Sequence, residues 1–72
     1  MRSFDDAQGN HWQAALLEAS YGSVLVIFSR TGGDEVLKNE LDATNLPEAE
    51  QLLAGMDEAS VRATLAGAVP WS

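Results

Sequence analysis

Along residues 1–42 the apolar positions come in short runs, broken by "DDAQGN", "SYGS" and "RTGGDE", with tyrosine, tryptophan, valine and phenylalanine between the breaks. Strands joined by tight turns are written this way, so this half predicts a β-meander. From residue 45 the period changes. Leu46, Ala49, Leu52, Leu53 and Met56 form one helical stripe, and Val61, Leu65, Ala68 and Val69 form a second. No repeat, low-complexity tract or linker separates the halves. The expected fold class is α+β, one domain over 1–72: a small antiparallel meander of three to four strands within about residues 2–42, then a two-helix hairpin within about 45–69, packed on one face of the sheet.

The turns set the register. In "FDDAQGNHW", Asp6 suits the first position of a type I turn and Gly9 the left-handed residue that closes a three-residue hairpin loop. Phe4 then lies opposite Trp12, on a face shared with Ala14 and Leu16. The same stretch offers Asp5, Asp6 and His11 as metal ligands. Adjacent carboxylates on a strand point to opposite faces, however, and the histidine spacing matches no ligand set, so the turn is preferred.

"SRTGGDEV" raises the possibility of a phosphate-binding loop. Such a loop needs a lysine followed by serine or threonine at the start of a helix, and here Gly32 and Gly33 precede Asp34 and Glu35, which would repel phosphate. A hairpin uses every residue: both glycines take positive φ, Thr31 and Asp34 flank them, and Arg30 faces Glu35. Phe28 then opposes Leu37 and Val24 opposes Leu41, so Val24, Val26, Phe28, Leu37 and Leu41 share one face. Leu25, Ile27 and Val36 share the other, beside Lys38 and Glu40. A slip of one residue would exchange the two faces.

The helices are marked by their ends. Asn45 and Glu48 read as a capping box, Pro47 falls in the first turn, and Gly55 is placed to end the first helix. Asp57 caps the second helix, which Pro70 stops. A DNA-reading helix-turn-helix would need basic residues on that second helix, and it offers only Arg62. Trp71 follows the helix and is costly to expose. It is expected to fold back and close the core, or else to anchor a partner.

Composition then narrows the function. Eleven acidic residues against four basic give a net charge of -7, which disfavours nucleic acid and anionic membranes as partners. The absence of cysteine removes disulfides, thiolate metal sites and thiol nucleophiles, and suits a reducing cytoplasm. The N-terminal ten residues lack the apolar run of a signal peptide, and no apolar stretch approaches the roughly 20 residues of a membrane span. His11 is the only histidine, and Ser20, Ser23, Ser29 and Ser60 all fall in turn, strand or helix-start contexts. No catalytic residue, cofactor or metal is expected, and the chain is not expected to be an enzyme. The expectation is a small acidic protein-interaction or accessory domain, with Leu25, Ile27, Val36 and Trp71 as its interaction surface. Two alternatives remain: a weak homodimer with a structural role, formed through the second sheet face, and an acidic mimic of nucleic acid that occupies a basic protein surface.

Overall fold

Five strands run in sequence order through one antiparallel sheet, β1 (Arg2–Asp5), β2 (His11–Glu18), β3 (Val24–Arg30), β4 (Val36–Leu41) and β5 (Val69–Pro70), with α1 (Leu46–Gly55) and α2 (Glu58–Ala66) between the last two. The computed structural model describes residues 2–19 and 22–71. Ser20 and Tyr21, in the expected break "SYGS", lie outside them. No helix among the described residues is long and apolar enough to cross a membrane.

The register follows from the turns. Asp6 N–H donates to the Asn10 carbonyl (2.9 Å) and Gly9 N–H to the Asp6 carbonyl (3.2 Å), with Gly9 at φ 85°. This is the three-residue loop expected from the sequence, and it sets Phe4 opposite Trp12. The Asp6 carboxylate completes the loop. It accepts from the backbone N–H of Gln8 and of Asn10 (both 2.9 Å) and from the indole Nε1 of Trp12 at 2.8 Å. A buried tryptophan needs a partner for its N–H. That bond, more than the loop's own donors, draws the Asp6 pKa down to about 2.

The third turn differs from expectation in one respect. Gly33 N–H donates to the Arg30 carbonyl and Gly32 alone has positive φ, at 81°, which is the type II arrangement with glycine at its third position. Gly33 needs no left-handed backbone. A Cβ there would instead meet the Arg30 guanidinium at 2.8 Å. Arg30 Nε stands 3.7 Å from Glu35 Oε1, an ion-pair separation too long for a hydrogen bond. The expected pairs Phe28–Leu37 and Val24–Leu41 are both present.

The helix starts are as expected. Asn45 Oδ1 accepts from Glu48 N–H and Asp57 Oδ1 from Ser60 N–H, both at 2.8 Å. The capping box is half made, because the Glu48 carboxylate accepts from the Thr44 hydroxyl instead of reaching back to Asn45. The first helix ends at Gly55, as expected, with Met56 in extended conformation beyond it, whereas α2 departs from expectation: Gly67 closes it before Pro70. The stripe of Val61, Leu65, Ala68 and Val69 suggested helix up to Val69, but once Gly67 has ended α2, Val69 and Pro70 pair with Lys38 and Leu37 as a fifth strand. Leu52 is a second correction: it points outward from α1, while Ala49 and Leu53 are buried.

One core holds the layers together, with Phe4, Trp12, Ala14, Val24, Val26, Phe28 and Leu41 from the sheet side and Ala49, Leu53 and Val61 from the helices. Phe4 meets Phe28 edge to face at 5.8 Å. Three polar side chains stitch the layers at their margins. Arg2 donates to the carbonyls of Leu53 and Met56, supplying the cation that the last turn of α1 lacks. Arg62 Nε donates to the Asp5 carbonyl (2.8 Å) and Asn39 Nδ2 to the Thr64 carbonyl (2.9 Å).

Gly32→Ala is expected to cost about 1 kcal/mol in chemical denaturation, because alanine resists the positive φ. Gly33→Ala should cost less and displace only the Arg30 side chain. Asp6 and Asp57, the latter lowered chiefly by its bond from Ser60 N–H, both have folded pKa values below the unfolded carboxylate value. Their stabilisation is therefore present above the unfolded carboxylate value, near 4, and is lost as pH falls through each lowered pKa, which for Asp6 is about 2. Thermal melts from neutral pH down to acid should show that loss, and Asp6→Asn should lower the neutral Tm while flattening the acid limb.

Candidate interaction surface

A strand has period two, so the register that turns Val24, Val26 and Phe28 to the helices turns Leu25, Ile27 and Ser29 away from them. The rows across the sheet give the composition of this second face. Leu17 pairs with Leu25 and Leu25 with Glu40; Ala15 pairs with Ile27, Ile27 with Lys38 and Lys38 with Val69. Gln13, Ser29 and Val36 form the next row, and Trp71 joins it by donating its N–H to the Val36 carbonyl at 2.9 Å. Both helices pack on the opposite side, so this face is open.

Leu25, Ile27, Val36 and Trp71, the four residues proposed from sequence, are thus all on the open face. Trp71 corrects the expectation that it folds into the core: it is 48% exposed, and its ring lies 5.4 Å from Lys38 Nζ. The reason is β5, whose register carries the residue after Pro70 to the open side. Leu17 and Val69 were missed, at 42% and 53% exposed. Leu17 follows Ala15 at strand spacing and could have been found by continuing the alternation; Val69 was hidden by its helical period.

Of five exposed large hydrophobic residues among the described residues, four (Leu17, Val36, Val69 and Trp71) share this face, and Leu52 sits apart on α1. Exposed apolar area is therefore concentrated, not scattered. A hollow of about 270 Å³ lies where β5 stops short along β4, lined by Leu25, Lys38, Asn39, Glu40, Gly67 and Val69.

Charge is sparse here. Arg2 and Arg62 bond to backbone carbonyls and Arg30 stands beside Glu35, which leaves Lys38 as the one basic side chain among the described residues with neither a carboxylate nor a carbonyl partner. Asp5 and His11 pair with each other across the end of β1 and β2. Asp6 is turned to the Trp12 indole, so the three residues weighed as metal ligands are divided between two sides. No group of three or more histidine, cysteine, aspartate or glutamate residues is placed to hold a metal among the described residues. Neither does any hydroxyl among them hydrogen-bond the His11 ring.

The chain matches no family model, no curated protein and no solved structure.

The two faces predict opposite responses to substitution. Phe28→Ala, on the covered face, should cost about 3 kcal/mol or more. Val36→Thr and Leu17→Thr, on the open face, should each change stability by less than about 0.5 kcal/mol in urea denaturation.

Proposed function

We propose that this chain is a small non-catalytic protein-interaction domain that works through the open face of its sheet. The observation that carries the proposal is the gathering of Leu17, Val36, Val69 and Trp71, all exposed, around the half-buried Leu25 and Ile27 on the side that no helix covers. Contiguous apolar area of this kind is rare on soluble monomers unless something binds it. Its chemistry suits a protein surface: apolar residues around a single cation and a single anion, Lys38 and Glu40, a tryptophan at one side, and polar residues such as Gln13, Asp5 and His11 towards the rim. Small-molecule sites are concave and enclose most of their ligand. This face is a sheet surface with one shallow hollow.

The acidic residues have a supporting role. Most lie in loops, caps and helices, where they keep the remainder of the molecule soluble. A cysteine-free chain suits the reducing cytoplasm, where we place this function.

Photocrosslinking tests the proposal directly. A benzophenone amino acid in place of Val36 should form covalent adducts with protein in extracts of the native cell, either another chain or a second copy of this one. The same group in place of Glu50, exposed on α1, should not. Equal adducts at both positions, or none at Val36, would overturn it.

A further inference from the structure

We infer that the occupant of the open face is a second copy of this chain, related by a two-fold axis that lies in the interface and crosses β4 between Lys38 and Glu40. This inference rests on the interaction reading above and names its partner. The dimer would be a sandwich of two sheets with both helical layers outside.

Charge complementarity favours a copy over a foreign chain. The interior of the face holds one cation and one anion, Lys38 and Glu40, two residues apart on β4 and on the same side, and neither is in a salt bridge among the described residues. A two-fold axis between them sets each copy's Lys38 over the other's Glu40, and the hollow beside these residues receives the crossing side chains. A strongly basic partner would be drawn instead to the loops and helices, where most of the carboxylates are.

Size and long-range charge allow it. Five strands span about 20 Å and the longest, of eight residues, runs about 27 Å, so the flat area of the sheet is at most about 500 Å², which places the pair among weak, small interfaces. The net charge of -7 opposes association, but stacked sheets lie about 10 Å apart, so helices on the outer sides are separated by roughly 30 Å. That is about three Debye lengths at 0.1 M salt. Repulsion between the helix-borne acids is therefore felt only at low ionic strength, while the acids of strands and loops lie nearer the interface, so affinity should rise most from about 0.01 M to 0.1 M salt and more gently beyond.

Sedimentation of the full chain, with the folded state followed by circular dichroism, tests both the partner and the axis. The expected result is a monomer–dimer equilibrium that tightens over this salt range. Ile27→Lys and, as a milder change at an exposed position, Trp71→Ala should each weaken it about tenfold or more without unfolding the monomer. Lys38→Glu should weaken it, and Lys38→Glu with Glu40→Lys should recover much of the loss. The Lys38–Trp71 contact is absent from both of these variants, and Lys38→Glu with Glu50→Lys, exposed on α1, has the same net charge as the double variant, so recovery beyond that control reports the pairing between copies. A monomer at all concentrations up to the millimolar range in every salt would overturn the dimer; adducts with other proteins at position 36 would then still support the interaction reading, and their absence would remove both. A dimer insensitive to Ile27→Lys and Trp71→Ala would overturn the face, and failure of the double variant to recover would overturn the axis.

Discussion

Two helices of ten and nine residues, joined through Met56 and Asp57, cannot cover both sides of a five-stranded sheet. At ~1.5 Å per residue each is about 15 Å long, while five strands at ~4.8 Å spacing span about 20 Å across. Both helices are therefore spent on one face. They follow the meander and are joined by a connection too short to pass around the sheet edge, so they must lie on the same side. With the helices there, period two in the strands sends Leu17, Leu25, Ile27 and Val36 to solvent as surely as it sends Val24, Val26 and Phe28 to the core.

The covered side is secured by few groups, each with more than one task. Asp6 closes the first hairpin and satisfies the buried indole of Trp12, so one carboxylate fixes both the register of β1 on β2 and the seat of a core aromatic. Arg2 ties β1 to the end of α1, and Arg62 ties α2 back to β1. In a chain too short to bury a large core, such margins matter more than they would in a larger domain. They also remove three of the four basic side chains from circulation, counting Arg30 beside Glu35, and leave Lys38 alone on the open side.

Much of this was legible in the sequence because turn chemistry is local. Asp6 with Gly9 fixes Phe4 opposite Trp12, and the glycines after Arg30 fix Phe28 opposite Leu37; from those two pairs the face of every neighbouring strand residue follows. Asn45 and Asp57 marked the helix starts for the same reason, since a cap acts on a backbone N–H three residues away. The failures are non-local. Nothing near Val69 says that the outer edge of β4 lacks a neighbour, yet that vacancy turns a helical period into a strand and carries Trp71 to the open face. Gly33 failed for a finer reason: two adjacent glycines each permit positive φ, and only the turn type decides that Gly32 uses it. The register placed Leu25, Ile27 and Val36 on one face, where they lie, and left out Leu17 and Val69, which share it.

A sheet can associate through its edges or through its faces, and here the edges are blunted. On β1 the Asp5 carbonyl, directed away from β2, already accepts from Arg62. At the other side Trp71 N–H points inward to Val36, so the alternation of the ladder turns the backbone of Pro70 outward, where a proline has no N–H to offer. Past the end of β5, Glu40 N–H is taken by the Asn39 side chain, whose amide also reaches Thr64. An incoming strand would find a short, interrupted row of donors and acceptors at either edge, the arrangement that protects sheets from open-ended pairing. Contact through the open face has no such obstacle, and it closes on itself: once two faces meet about a two-fold axis no apolar face remains to recruit a third copy, so the same fold that leaves one side of its sheet bare also limits what can follow from it.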